Sequence, residues 1–271
     1  MLRKIKTNLG FIYRGLLWIK DTIIDNPKIL DIKPMIIWKT QWWADILCYK
    51  FGEWKEKILY FGWIHGNEVG TVKLMKRWIN FIWGTPNNVD FWNKQIFIIP
   101  CLNVDWYKGA IEKPEYFSGW RYGKTNGNNV DLNRNFPANN WSKVSTLFAA
   151  WKYEEISWWE EAWWEPEVKA LLELLIEENI STIYTFHNCW GTVFGRGTNS
   201  VQAKVKSYSK HSWYRIFADW EWDWLKDGQK TGQMMTWAQE KNIDTIEVEC
   251  RTRWWSEWKQ NKSALIESLK L

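Results

Sequence analysis

The chain has 271 residues, 25% of them charged and 46% apolar, with a net charge of +5; this is the make-up of a globular protein with room for one large α/β core. Its basic residues are dispersed rather than gathered in a stripe among stacking aromatics, which argues against nucleic acid as a partner. No apolar run is long enough to cross a bilayer, so no membrane partner is expected.

In chain order, the basic start is interrupted by Arg14, Lys20 and Asp21. Leu9 to Ile24 reads as an amphipathic helix within an N-terminal extension over residues 1–34, not as a signal peptide, and a cytoplasmic location is expected. Ile46 to Phe51 reads as a strand, and Ile58 to Phe61 as a buried central strand. Val69 to Ile82 has helical spacing, with Val72, Met75 and Ile79 on one face. Gln95 to Pro100 is another buried strand, stopped by its proline. Cys101 to Asn140 is rich in Gly, Asn and Pro and reads as a long irregular connection of the kind that often carries function. Glu165-Pro166-Glu167 opens a helix to about Asn179, with proline in the first turn and acids at the positive end of the dipole. Ile180 to Phe186 is a strand ending at His187. Val201 to Phe217 and Gly232 to Lys241 read as helices, Ile243 to Val248 as a strand and Lys259 to Leu269 as a closing helix. Strands alternating with helices predict an α/β fold, and the absence of repeats or a linker predicts a single domain over 1–271. The four cysteines, Cys48, Cys101, Cys189 and Cys250, form no C-x-x-C, which favours reduced thiols.

Chemistry collects at the ends of the predicted strands, where α/β sheets bind ligands. His65 and Glu68, three residues apart in a Gly-rich turn, can close on one metal ion. His187 and Glu247 fall at or near the ends of two distant strands. A catalytic zinc ion needs three protein ligands and an open position, and His65, Glu68 and His187 supply them. Glu247 is then the unligated carboxylate that moves a proton. His211 lies in a basic, polar helical stretch and reads as solvated.

The ordered set resembles the zinc metallocarboxypeptidase family. That family joins an H-x-x-E, an N-P-D-G turn, a D-x-N-R-N-[FW] segment, a distant His and a T-x-E-[LV] strand. The counterparts are His65-Gly66-Asn67-Glu68, Asn103-Val104-Asp105-Trp106, Asp131 to Phe136, His187 and Thr245-Ile246-Glu247-Val248. Asn135-Phe136-Pro137-Ala138 and the Glu165-Pro166-Glu167 helix start are similar to short bacterial forms, including murein peptide amidases. The resemblance implies one domain with a mixed, mostly parallel central sheet covered by helices on both faces. It implies a monomer that uses one zinc ion to hydrolyse a peptide or muropeptide bond next to a free carboxylate. It further implies that Arg134, with Asn133, holds that carboxylate. A cation for the developing oxyanion is implied just before the D-x-N-R-N segment, where Lys124 and Arg121 are the candidates. Glu249 shares a strand face with Glu247, and the T-x-E pattern selects Glu247. Two competing functions share the fold: N-acyl amino acid hydrolysis of the aspartoacylase or succinylglutamate desuccinylase type, and a non-catalytic peptide-binding domain.

One count is abnormal: 26 tryptophans against 16 glycines. Trp63 and Trp106 stand where the family's motifs carry glycine, which is used there because it accepts positive φ and close backbone approach. Trp141, by contrast, matches a tryptophan of the relatives. A gene whose UGA codons mean glycine, translated as though they meant tryptophan, would give this pattern. Misread positions are then expected to be exposed, at loop tips or at positive φ.

Overall fold

The apolar run at Ile58 to Phe61 forms the middle of the strand on which the sheet is centred, Glu56–Gly62 (β3). Its side chains alternate. Ile58 and Tyr60 enter one buried cluster, Leu59 and Phe61 another, as the period of two along a strand requires. Strand Lys94–Ile99 (β4) does the same, with Ile96 and Ile98 on the first face and Phe97 and Ile99 on the second. Burial on both faces makes these strands continuous apolar runs rather than alternating ones.

The structure is a computed structural model that describes residues 32–85, 94–113, 123–149, 152–158, 161–217 and 231–271. The expected N-terminal helix, Leu9 to Ile24, and Arg121 lie outside the described residues. The remaining strands of the main sheet are Met35–Lys39 (β1), Asp45–Phe51 (β2), Thr182–Asn188 (β7), Thr192–Phe194 (β8), Arg215–Ile216 (β9) and Asp244–Cys250 (β10). Val144–Ala149 (β5) and Lys152–Trp158 (β6) form a separate antiparallel hairpin. The eight-stranded sheet has the order β1-β2-β4-β3-β7-β10-β8-β9. Its centre, β4-β3-β7-β10, is parallel, and β1, β2 and β8 are joined antiparallel. The fold is therefore a single α/β domain with a mixed sheet.

Helices cover both faces. Val69–Trp83 (α1), Asn199–Ser212 (α4) and Trp258–Ser268 (α6) send Leu74, Met75, Trp78, Val201, Val205, Tyr208 and Leu265 into the first cluster. Pro166–Glu177 (α3) and Met234–Glu240 (α5) send Val168, Leu171, Leu174, Met234 and Trp237 into the second. Each fully buried side chain of this size stabilises the fold by about 1.5–3 kcal/mol relative to exposure. Helix α3 begins on Pro166, whose fixed φ and missing N–H suit the first turn.

The irregular connection expected over Cys101 to Asn140 contains a helix, Val104–Glu112 (α2). Gly109 and the mixture of Trp106, Tyr107 and Ala110 on its buried side obscure the helical period in the sequence. The helix expected to reach Phe217 stops at Ser212, and β9 follows. His211 sits in its last turn, where Nδ1 lies 2.9 Å from the Ser207 carbonyl. All four cysteines are free thiols, and no helix among the described residues is long and apolar enough to cross a membrane.

Candidate active site

Three strand ends converge. His65 follows β3 by three residues, His187 is the next-to-last residue of β7, and Glu247 is on the adjacent β10. Parallel pairing sets Glu247 level with Thr185, and Glu249 level with His187. Ile246 and Val248 point into the first core cluster, so Glu247 and Glu249 share the opposite face with His187.

The turn that carries His65 and Glu68 is fixed from two sides. Buried Asn103 donates through Nδ2 to the carbonyls of Ile64, at 3.3 Å, and Thr125, at 3.1 Å, tying that turn to the loop that leads to Asp131. A Cβ at Gly66 would stand 2.4 Å from the Gly123 carbonyl oxygen and 2.8 Å from the Trp106 Cβ; only glycine allows this approach. Asp105 accepts from the Thr40 hydroxyl and, at 3.4 Å, from the Trp42 N–H, so the N-x-D segment anchors the β1–β2 hairpin.

Glu68 is the N-cap residue of α1, yet its side chain makes no capping hydrogen bond. The carboxylate turns instead to the two imidazoles. Its Oε1 is 3.0 Å from His65 Nδ1 and its Oε2 is 3.3 Å from His187 Nδ1. The two Nδ1 atoms are 3.3 Å apart. All three side chains are buried. Ligand atoms about 2.1 Å from a tetrahedral zinc stand about 3.4 Å from one another, so the spacing and the N, N, O donor set fit such an ion. The far nitrogens are also held: His65 Nε2 is 3.3 Å from Asp131 Oδ1, and His187 Nε2 is 3.3 Å from Thr185 Oγ1. Both rings are thereby turned to offer Nδ1 to one point.

Electrostatics suit a cation there. Burial alone raises the Glu68 carboxyl, but His65 and His187 outweigh it and bring it down to about 2. Burial opposes charge on His187, yet Glu247 and Glu68 lift it to about 10. Burial likewise raises Asp131, and Lys124, Arg134 and His65 pull it well below the ordinary carboxylate range.

Of the other expected residues, Lys124 places Nζ 3.5 Å from Asp131 Oδ2. Asn133 Oδ1 accepts from the Met234 N–H at 3.0 Å, leaving its Nδ2 as the donor. Arg134 Nη1 donates to the Asn133 carbonyl at 2.8 Å, while its buried Nε meets no acceptor among the described residues. Glu247 lines a cleft with Phe194, Arg196, Gln233, Met235 and Thr236. His187, Glu247 and Glu249 form a second group whose ligand atoms lie within 4.8 Å of one another. Burial pushes the Glu249 carboxyl up to about 8 against the pull of His187.

A family model described as zinc carboxypeptidase matches residues 50–221. The chain belongs to the zinc carboxypeptidase family. The matched span holds His65, Glu68, Arg134 and His187; Glu247 lies beyond it. Carboxypeptidase Z from Rattus norvegicus is 30% identical over 129 residues, which is 43% of this chain and 20% of that protein. This carboxypeptidase-family chain thus spans a fifth or less of the length of the first curated relatives it matches. Among solved structures, the murein-tripeptide amidase of Escherichia coli O157 has a TM-score of 0.65 at 16% identity, covering 91% of this chain and 93% of that one. An aspartoacylase family protein from Mesorhizobium loti has a TM-score of 0.55 at 13% identity, covering 90% and 67%. At these identities the likeness is one of fold.

Asp131 has no role assigned by the sequence reading, although it heads the D-x-N-R-N segment. The geometry sets it behind the His65 imidazole, and if His65 holds a metal ion this is a place where substitution typically costs 10–100-fold in metal affinity. Asp131→Asn keeps an acceptor for the Asn133 N–H, which Asp131 Oδ1 now caps at 3.0 Å. It is expected to weaken zinc about 10–100-fold in competition with a chromophoric chelator. Unchanged affinity would remove Asp131 from the site.

The Glu165-Pro166-Glu167 helix start holds the loop that delivers Asp131. Asn126 Nδ2 donates to Glu165 Oε2 at 2.6 Å and reaches both oxygens of Glu167. Burial, with Glu165 nearby, pushes Glu167 up to about 8 from an ordinary 4.5. The native state then binds a proton that the unfolded chain releases, so this group's contribution is complete below about 4.5 and is lost as pH rises through about 8. Glu167→Gln keeps an acceptor for Asn126. It is expected to flatten the decline in unfolding free energy from pH 5.5 to 8 in urea titrations; equal slopes in the two proteins would contradict the assignment.

Proposed function

We propose that this enzyme hydrolyses a peptide or amide bond next to a free carboxylate, as a metallocarboxypeptidase or murein peptide amidase does. The observation that carries this reading is the meeting of His65 Nδ1, His187 Nδ1 and the Glu68 carboxylate, from separate strand ends, at the spacing of one zinc site. A zinc ion held there supplies Lewis acidity that makes water a nucleophile at neutral pH. Glu247, on the wall of the cleft, takes the proton of the attacking water and hands it to the leaving amine. Lys124 or Arg121 is the cation that balances the oxygen charge that develops on the scissile carbonyl. Arg134, with its Nε and remaining N–H groups, and Asn133 Nδ2 bind the terminal carboxylate and fix the bond that is cut.

The test is a substrate panel with one equivalent of zinc: a blocked tripeptide with a free acid, the same peptide amidated, and an N-acetyl amino acid. Turnover of the free-acid peptide alone is expected. Faster turnover of the N-acetyl amino acid would favour the aspartoacylase type, for which the fold likeness is weaker. Binding of the peptide without turnover of any substrate would make the protein a binding domain.

A further inference from the structure

Among the described residues, some tryptophans sit in ordinary helical cores and others on backbone that disfavours them. Trp78 and Trp237 lie within helices and are fully packed. Trp78 stacks on Phe81 with ring centroids 5.6 Å apart, and Trp237 meets Phe136 at 6.5 Å. Others sit on backbone that large side chains avoid. Of the eight non-glycine residues at positive φ among the described residues, four are tryptophan: Trp43, Trp63, Trp163 and Trp213, at φ between 56° and 61°. Three of the others are asparagine, the residue besides glycine that visits this region readily; for a bulky residue it is an outlier.

The local hydrogen bonds give each place a name. Trp43 ends the three-residue loop of the β1–β2 hairpin. Its N–H bonds the Thr40 carbonyl at 3.0 Å, and Thr40 N–H bonds the Ala44 carbonyl at 2.8 Å. In such hairpins the left-handed residue closing the loop is normally glycine. Trp213 is the residue after α4, at φ 60° and ψ 20°, and its N–H returns to the Ser209 carbonyl at 2.9 Å. That is the left-handed helix end glycine usually occupies. Trp163 turns the chain into α3, its N–H on the Asn135 carbonyl at 2.6 Å. The side chains at 43 and 213 are 79% and 81% exposed, and that at 163 is 50% exposed, so burial of the indoles offsets little of the backbone strain.

We propose that the protein made in its own cell carries glycine at positions 43, 163 and 213, each encoded by UGA, while Trp78 and Trp237 are true tryptophans encoded by UGG. Trp63, the second residue of the Gly62-Trp63 pair leading to His65, belongs with the first group by its φ. Its ring is buried against Tyr107 at 5.0 Å, so removing it also opens a cavity, and it is left out of the stability test for that reason.

Two measurements decide the matter, neither of which depends on the enzyme reading. Codons in the gene are expected to be UGA at 43, 163 and 213 and UGG at 78 and 237, and native peptides should be lighter by about 129 Da per misread site, the mass of the indolylmethyl side chain that glycine lacks. UGG at the three sites, or native peptides with intact tryptophan there, overturns the proposal. In the chain as written, Trp43→Gly, Trp163→Gly and Trp213→Gly should each raise Tm by about 2–4 °C, the shift expected when left-handed strain is relieved in a domain of this size. The matching alanine variants remove the indole but keep a Cβ, and should gain less. Trp78→Gly and Trp237→Gly should lower Tm. Alanine equal to glycine at all three sites would show that the backbone does not ask for glycine.

Discussion

Glu247→Gln is expected to leave zinc binding intact and to lower kcat by about 10²–10⁴, the range for loss of a positioned acid or base. The substitution keeps shape and hydrogen-bonding length but cannot accept a proton. Glu247 is outside the His65, Glu68, His187 group and two residues short of His187 in the register, level with Thr185. It lines the cleft formed with Phe194 and Gln233. Glu249 is the natural competitor, since it shares the strand face and stands level with His187. Its buried Oε2 meets no hydrogen-bond partner among the described residues, and burial pushes its carboxyl up to about 8. Single-turnover assays on Glu247→Gln and Glu249→Gln, each with zinc content measured, separate the two. Unchanged turnover in Glu247→Gln, with the loss appearing in Glu249→Gln, would move the base two residues along the strand.

The sheet was legible because its inner strands are buried on both faces. Ile58 to Phe61 and Ile96 to Ile99 are continuous apolar runs of strand length, as a strand buried on both faces gives. The candidate ligands were legible because a chain with three histidines placed two of them at strand ends, in an order a known family shares. What stayed hidden has physical causes. The outer strands β1, β8 and β9 are short, and they are strands because of what they pair with. Helix α2 lies under an apolar side interrupted by Gly109. The second layer of the site was not readable from spacing: Asp131 meets His65 Nε2 across 66 positions of chain, and Thr185 supports His187 from the same strand only because β7 is extended. The tryptophan excess was visible as a count. Only dihedral angles separate Trp213, at a left-handed helix end, from Trp78, in a helical core.

Arg134→Ala is expected to lower kcat/KM on free-acid peptides by about 10²–10⁴, from the loss of two charge-assisted hydrogen bonds of about 1.5–3 kcal/mol each. The guanidinium is well placed for such a load. Its hydrogen bond to the Asn133 carbonyl fixes the plane. Its buried Nε meets no acceptor among the described residues, and a buried donor left unmade is costly unless a ligand completes it. The Asn133 amide beside it is oriented by Met234. Arg134→Lys keeps the charge but loses the planar fork, and should fall between wild type and alanine. On the amidated peptide the wild type should already be slow, and Arg134→Ala should slow it little further, because the group that Arg134 binds is missing. The discriminating quantity is therefore the ratio of kcat/KM for acid over amide, which should collapse toward one in Arg134→Ala. A wild-type enzyme that cuts amide and acid equally well would place the substrate's anchor somewhere other than Arg134.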